Sequence, residues 1–167
     1  MLPLILAATN TTISMSLMNN PSYSLRELLE SDAVWIERAA EDVEIQKWTA
    51  NGGQQVKERQ AWAILKDTEP VGVISLHSVD LLTSVADVGY WVAPWGRRQG
   101  AAKAALGLVE SELTQMHGVK SIQLRIMEGN HASIALATSL GYELVSAGTC
   151  SCGTQGVVPA VIYEKKL

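Results

Sequence analysis

Between Ser84 and Met127 the spacing of the apolar residues changes twice, and this narrows the fold more than any other feature of the chain. Residues 84–92, SVADVGYWV, are rich in β-branched and aromatic side chains and read as a strand. From Arg97 the apolar positions become Ala102, Leu106, Val109, Leu113 and Met116, three or four apart, which is the stripe of an amphipathic helix. Gly118 stands where a C′ glycine ends such a helix. Residues 120–127 then alternate strictly, with Ile122, Leu124 and Ile126 on one face and Gln123 and Arg125 on the other. A strand, a helix and a strand joined in this order make a crossover, so the two strands become parallel neighbours. Sheets of this kind place ligands beyond the carboxyl end of a parallel strand. At that point the chain reads WVAPWGRRQGAAKAAL.

The remaining elements read as antiparallel. Residues 23–28 predict a short strand, and Ser31 or Asp32 is the N-cap of a helix carrying Ala33, Ile36, Ala39 and Ala40. Asn51-Gly52-Gly53 is a break, and residues 54–59 form a short helical piece. Strands at 61–67, 71–77 and 84–92, with turn residues between them, predict a meander. Asn130 caps a helix that runs to Ser139 and stops at Gly141, and strands at 142–146 and 157–165 close the chain. The expected class is α+β: a mixed, largely antiparallel sheet with one parallel pair and flanking helices. The expected organisation is a flexible or strand-like extension over residues 1–20 and one domain over 21–167. Of the five tryptophans, in a chain with no phenylalanine, most are expected in the core.

Composition excludes several function classes. With 167 residues, 47% of them hydrophobic, a real core is expected. A net charge of −4 argues against a nucleic-acid partner held by a broad basic surface, while leaving room for a local basic pocket. The apolar run at residues 2–8 has no Lys or Arg before it and is too short for a span, so neither a signal peptide nor a membrane partner is expected. Cys150 and Cys152 form a lone C-x-C with no second pair, so no metal is expected. A disulfide across one intervening residue would be strained. Reduced thiols in a loop or at a strand edge, and hence the cytoplasm, follow.

The turn itself points to an anion. The first N–H groups of a helix have no intrahelical partner and, with the helix dipole, attract negative charge. Gly100, Ala101 and Ala102 leave the backbone uncovered, and Arg97 and Arg98 add charge-assisted hydrogen bonds. The spacing fits neither G-x-x-x-x-G-K-[ST] nor G-x-G-x-x-G.

Arg97-Arg98-Gln99-Gly100-Ala101-Ala102 resembles instead the [R/Q]-x-x-G-x-[G/A] motif of the GCN5-related N-acetyltransferases. Downstream, LRIMEGNHASIALATSLGYELVSAG is similar to the branch that contains the ribosomal-protein N-terminal acetyltransferases, through Asn130, Ser133 and Leu140-Gly141-Tyr142. The resemblance covers residues 23 to 167 and implies the acyl-CoA N-acyltransferase fold, with a parallel pair that splays at the site. It implies acetyl-CoA as cosubstrate, with its pyrophosphate on Arg97, Arg98, Gln99, Gly100, Ala101 and Ala102. Pantetheine would lie like an added strand on Trp91, Val92 and Ala93, and Asn130 and Ser133 would contact coenzyme A. The implied reaction is direct attack by a primary amine, either a protein N-terminus or a small molecule.

For the leaving thiolate many members use a tyrosine on the last helix. The equivalent position here is Ala137, which leaves Ser133 to donate a hydrogen bond. Asp87, on the strand feeding the turn, is the expected base acting through water, with His77 as runner-up. Trp48 would border the acceptor. The segment from Trp48 to Trp62 is short for the family, so the acceptor site is either open or completed by a second subunit in a homodimer. A non-catalytic acyl-CoA-binding module is the alternative. A nucleotide-binding domain of another kind requires the downstream match to be accidental.

Overall fold

The computed structural model describes residues 13–15, 22–49, 60–152 and 155–167. Its elements in chain order are β1 (Ile13–Met15), β2 (Tyr23–Glu27), α1 (Ala33–Ala40), α2 (Val43–Trp48), β3 (Gln60–Lys66), β4 (Glu69–Asp80), β5 (Val85–Val92), α3 (Ala101–Thr114), β6 (Ser121–Met127), α4 (His131–Ser139), β7 (Glu143–Cys152) and β8 (Gly156–Lys166). The strands form one eight-stranded sheet in the order β1-β2-β3-β4-β5-β6-β8-β7. β5 and β6 pair in parallel, and the other neighbours are antiparallel. This is the mixed, largely antiparallel α+β sheet expected, with the crossover through α3. The break at Asn51 to Gly53, the helical piece at 54–59 and most of the extension at 1–20 lie outside the described residues. Within that extension β1 runs antiparallel to β2.

The core follows the periods in the sequence. α3 turns Ala105, Leu106, Leu108, Val109 and Leu113 onto the sheet, and β6 answers with Ile122, Leu124 and Ile126. Each fully buried aliphatic side chain contributes roughly 1.5–3 kcal/mol. On the other face a small cluster of Ala39, Ile45 and Ala93 seats α1 and α2, with Trp91 and Trp95 packed against it.

Several expectations need correction. Asp32 occupies the N-cap position of α1, as expected, but its buried carboxylate makes no capping bond to the helix and accepts instead from Arg26, from the Leu29 N–H and from Trp35 Nε1. The unexpected α2 is capped by Asp42, which accepts from Glu44 N and Ile45 N. α3 ends at Thr114, so Gly118, with φ +94°, serves the turn into β6 instead of closing the helix. None of the five tryptophans is fully buried: Trp62, Trp91 and Trp95 pack against the two core clusters while partly exposed, Trp48 and Trp91 line the cleft, Trp95 Nε1 reaches Pro70 O and Trp48 Nε1 reaches Glu44. A buried indole N–H needs a hydrogen-bond partner, which these two have. Cys150 is a free thiol on the edge strand β7. None of the described helices is long and apolar enough to cross a membrane.

Candidate active site

The parallel pair opens partway along. β5 and β6 are in register from Val85↔Ser121 to Val88↔Leu124 and then part, while β5 continues to Val92 and β6 to Met127. Beyond Val88, β5 therefore has β4 on one side and a gap on the other. In an antiparallel pair every second residue turns its N–H and C=O to the same neighbour. Ala93 N donates to Val71 O at 2.8 Å, so Trp91 and Gly89 also face β4. Tyr90 and Val92 face the gap. The expected backbone set of Trp91, Val92 and Ala93 thus divides between the two sides of the strand. Both polar groups of Ala93 are taken, since its carbonyl accepts from Gly96 N, and of the three only Val92 presents its backbone to the gap.

The gap leads to the polar turn. Arg98, with φ +58°, and Gly100, with φ +89°, give the turn two left-handed residues. Gly100 is the N-cap of α3 and has open space where a Cβ would stand. No side chain caps this helix, and its first turn holds no acid. Its first intrahelical bond is donated by Ala104 to Gly100 O, which leaves the N–H groups of Ala101, Ala102 and Lys103 pointing out of the helix end.

The two arginines have different surroundings. Arg97 does not extend into the open: it donates to both carboxylate oxygens of Asp42, one at 3.3 Å, and to Val92 O at 3.2 Å. Its hydrogen bonds hold the Asp42 carboxyl below the usual carboxylate range. Arg97 thus ties the end of β5 to the cap of α2. Arg98 is exposed and makes no side-chain hydrogen bond or ion pair among the described residues. Gln99 is also engaged, its side chain with Trp95 O and Lys66 and its carbonyl with Tyr23 Oη at 2.7 Å. Of the charged and polar side chains expected on an anion here, Arg98 is the available one.

On the α1–α2 face the two base candidates meet. β4 shifts register between Leu76 and Ser78, so His77 is the extra residue of a β-bulge. A bulge re-aims its side chain. The His77 ring lies across the open Cα of Gly89: a Cβ built there would stand 2.7 Å from Nε2. Nδ1 is 3.3 Å from Asp87 Oδ1. Asp87 Oδ2 lies 3.5 Å from Gln123 Nε2 and 3.9 Å from Arg125 Nε. Arg125 in turn donates to Thr149 O on β7 at 3.0 Å. A cleft of about 1350 Å³ joins this group to the gap and the turn, with Trp48 and Cys150 among its walls. Trp91 is also in its wall, and the Trp35 ring meets it at a tilt of 49° with 5.7 Å between centroids.

On the α3–α4 face, Asn130 caps α4 by accepting from Ser133 N at 3.2 Å. Ser133 lines the cleft, and Tyr90 lies across from it on β5. Ala137, one turn beyond Ser133, is fully buried. Asp42, Tyr90 and Arg125 were missed from sequence. An Asp followed by V-E-I is a readable cap, but nothing local shows that Arg97 returns to it.

Residues 17–143 match the model of the acetyltransferase (GNAT) domain family. Among solved structures, Mycobacterium smegmatis RimJ in complex with CoA-disulfide is similar, with TM-score 0.75, 19% identity, and 87% of this chain and 82% of that one covered. The ribosomal L7/L12 alpha-N-protein acetyltransferase RimL, in complex with coenzyme A, has TM-score 0.73 and 15% identity over 92% of this chain and 98% of its own. The microcin C7 self immunity acetyltransferase MccE, in complex with acetyl-CoA and AMP, has TM-score 0.73 and 17% identity over 89% and 94%. No curated protein matches the chain.

Proposed function

The chain belongs to the GNAT acetyltransferase domain family, and from that premise we propose that it moves the acetyl group of acetyl-CoA to a primary amine by direct attack. The observation that carries the reading is the gap beside β5 opening onto an uncapped, acid-free helix N-terminus. Pantetheine bonds to Tyr90 and Val92 as an added strand would. The pyrophosphate then meets the free N–H groups of Ala101, Ala102 and Lys103, with Arg98 beside it. Arg97 and Gln99 hold the turn in shape. The gap-facing N–H of Tyr90 polarises the thioester carbonyl, so that charge growing on oxygen finds a fixed donor.

His77 receives the amine proton, and Asp87, at its Nδ1, orients the ring and stabilises its charged form. This reading reverses the order expected from sequence, in which Asp87 was the base and His77 the runner-up. Asn130 holds the first turn of α4, and Ser133 donates a hydrogen bond to the sulfur. RimL and MccE, with different acceptors in their names, have equal TM-scores to this chain, so the acceptor is assigned only as a primary amine. Residues 21–167 are read as one acetyltransferase domain, which the family match supports. A cytoplasmic location, supported by the free thiol of Cys150, and a homodimer that completes the acceptor site belong to the same proposal.

The test is release of free thiol from acetyl-CoA with N-terminal peptides and small amines as acceptors. Release is expected with at least one amine, and it should fall at least tenfold in His77→Ala, the scale of a lost general base. Binding of coenzyme A without thiol release for any amine supports the second reading, an acyl-CoA-binding module. The fully buried Ala137, in place of the family tyrosine, is the observation that favours it.

A further inference from the structure

Tyr90 Oη is buried and has no hydrogen-bond partner among the described residues. Protein interiors seldom keep such a hydroxyl. The ring alone accounts for the packing: it shares the face of Ala86 and Val88 and rests on the main core, where phenylalanine would fit as well. The hydroxyl is therefore the part left to explain. It lies on β5 two residues beyond Val88, where the pairing with β6 stops, on a wall shared with Ser133. Burial pushes the Tyr90 phenol up and a hydrogen-bonding interaction with the Ser133 side chain partly counters that push, which sets the two hydroxyls close together without a well-formed bond between them. The backbone of Ser133 is held by the Asn130 cap, which leaves its hydroxyl as the moving part. A serine hydroxyl accepts and donates at once.

We propose that Tyr90 is a positioning residue for thiolate departure: its hydroxyl donates to Ser133 Oγ and commits the Ser133 O–H to the sulfur of bound coenzyme A. This rests on the acetyl-CoA reading above. During transfer the amine nitrogen bonds to the acetyl carbon and the carbon–sulfur bond breaks. The electron pair goes to sulfur and the amine proton to His77. The thiolate leaves hydrogen-bonded to Ser133. Tyr90 gives up no proton, which suits a phenol whose buried site disfavours the charged form.

The test needs no acceptor. Affinities of coenzyme A and of desulfo-coenzyme A are measured by calorimetry at pH 7 and pH 9.5 for the wild type, Ser133→Ala and Tyr90→Phe. An ordinary thiol, with pKa about 8.5, is mostly neutral at the first pH and mostly thiolate at the second. The affinity ratio of the two ligands cancels what the ionisable groups around Tyr90 and Ser133 contribute equally to both, namely Tyr142, whose phenol is pushed up by burial, Glu110 and Tyr90, and His131 at the head of α4. In the wild type this ratio should rise about tenfold between the two pH values, as expected for one charge-assisted hydrogen bond. The rise should be lost in both variants, with desulfo-coenzyme A affinity unchanged. Tyr90→Phe should melt no lower than wild type, because it removes only an unpaired buried hydroxyl.

A Tyr90→Phe protein that keeps the wild-type rise overturns the proposal, as does one that loses desulfo-coenzyme A affinity, which marks a change of pocket shape. A wild type that binds both ligands equally at both pH values overturns the thiolate role alone. A wild type that binds neither overturns the acetyl-CoA reading and this proposal with it.

Discussion

Arg97 and Arg98 are neighbours in sequence with opposite roles in the structure, and charge reversal separates them. Arg98 is exposed and without a side-chain partner among the described residues, so Arg98→Glu should leave the melting temperature of the free protein nearly unchanged. It should shrink the stabilisation by coenzyme A, which for the wild type reaches about 2.7 kcal/mol at 100 times the dissociation constant. Arg97→Glu sets a carboxylate against Asp42 and removes a donor from Val92 O, so it should lower the melting temperature before any ligand is added. Thermal scans with and without coenzyme A read both effects. An Arg97→Glu protein as stable as the wild type would mean that the Asp42 pair is not formed. Both arginines were legible as a basic turn. Which of them meets the ligand was not, because Asp42 is 55 residues away in sequence.

At the scale of elements, α3 carries the clearest conflict between stability and function. Its N-terminus has neither a capping side chain nor an acid in the first turn. Ala102→Asp should therefore stabilise the free protein by about 0.5 kcal/mol through the helix dipole. The same carboxylate would occupy and repel the anion site, so coenzyme A binding should be abolished. Calorimetry and a melting curve on one variant test both signs, and retained binding would take the pyrophosphate off this turn. In β4 the bulge at His77 makes a second test. A Cβ at Gly89 collides with the imidazole, and the far end of a side chain can swing away. Gly89→Ala should thus fold with a small loss of stability but displace His77 from Asp87. Thiol release from acetyl-CoA should fall at least tenfold. Wild-type turnover in Gly89→Ala would remove His77 from the mechanism. The strands themselves were readable from their period. The bulge was not, because it is a mismatch between two strands and has no signature in either one.

For the molecule as a whole, the buried Asp32 links β2 to the start of α1 and gives stability a predictable pH dependence. Burial alone would raise its pKa, but hydrogen bonds from Arg26, the Leu29 N–H and Trp35 outweigh this and hold it at about 2, against an ordinary value of 3.8. The folded value is the lower one, so the contribution is present above the unfolded pKa and is lost as pH falls through the folded pKa. It amounts to about 2 kcal/mol at neutral pH and should fade from about pH 4 down toward pH 2. Asp42, also depressed, acts in the same direction, so the comparison must be made against Asp32→Asn. Melting temperatures of the two proteins should differ most above pH 5 and converge near pH 2. Parallel curves over that range would show that Asp32 titrates normally.

What the amino-acid order determined by itself is local: the strand and helix periods, the Asn130 cap, the glycine and alanine that leave the head of α3 bare, and the crossover that forces β5 and β6 to run parallel. These follow from side-chain spacing and backbone preference within a few residues. Tertiary structure alone decided where β5 and β6 part, which carbonyls of β5 face the gap, that Arg97 belongs to Asp42, that the bulge brings His77 to Asp87, and that the Tyr90 hydroxyl is buried without a partner among the described residues. Each of these depends on which distant groups are brought within bonding distance and on how much water they lose, and neither quantity is written in the spacing of neighbouring residues.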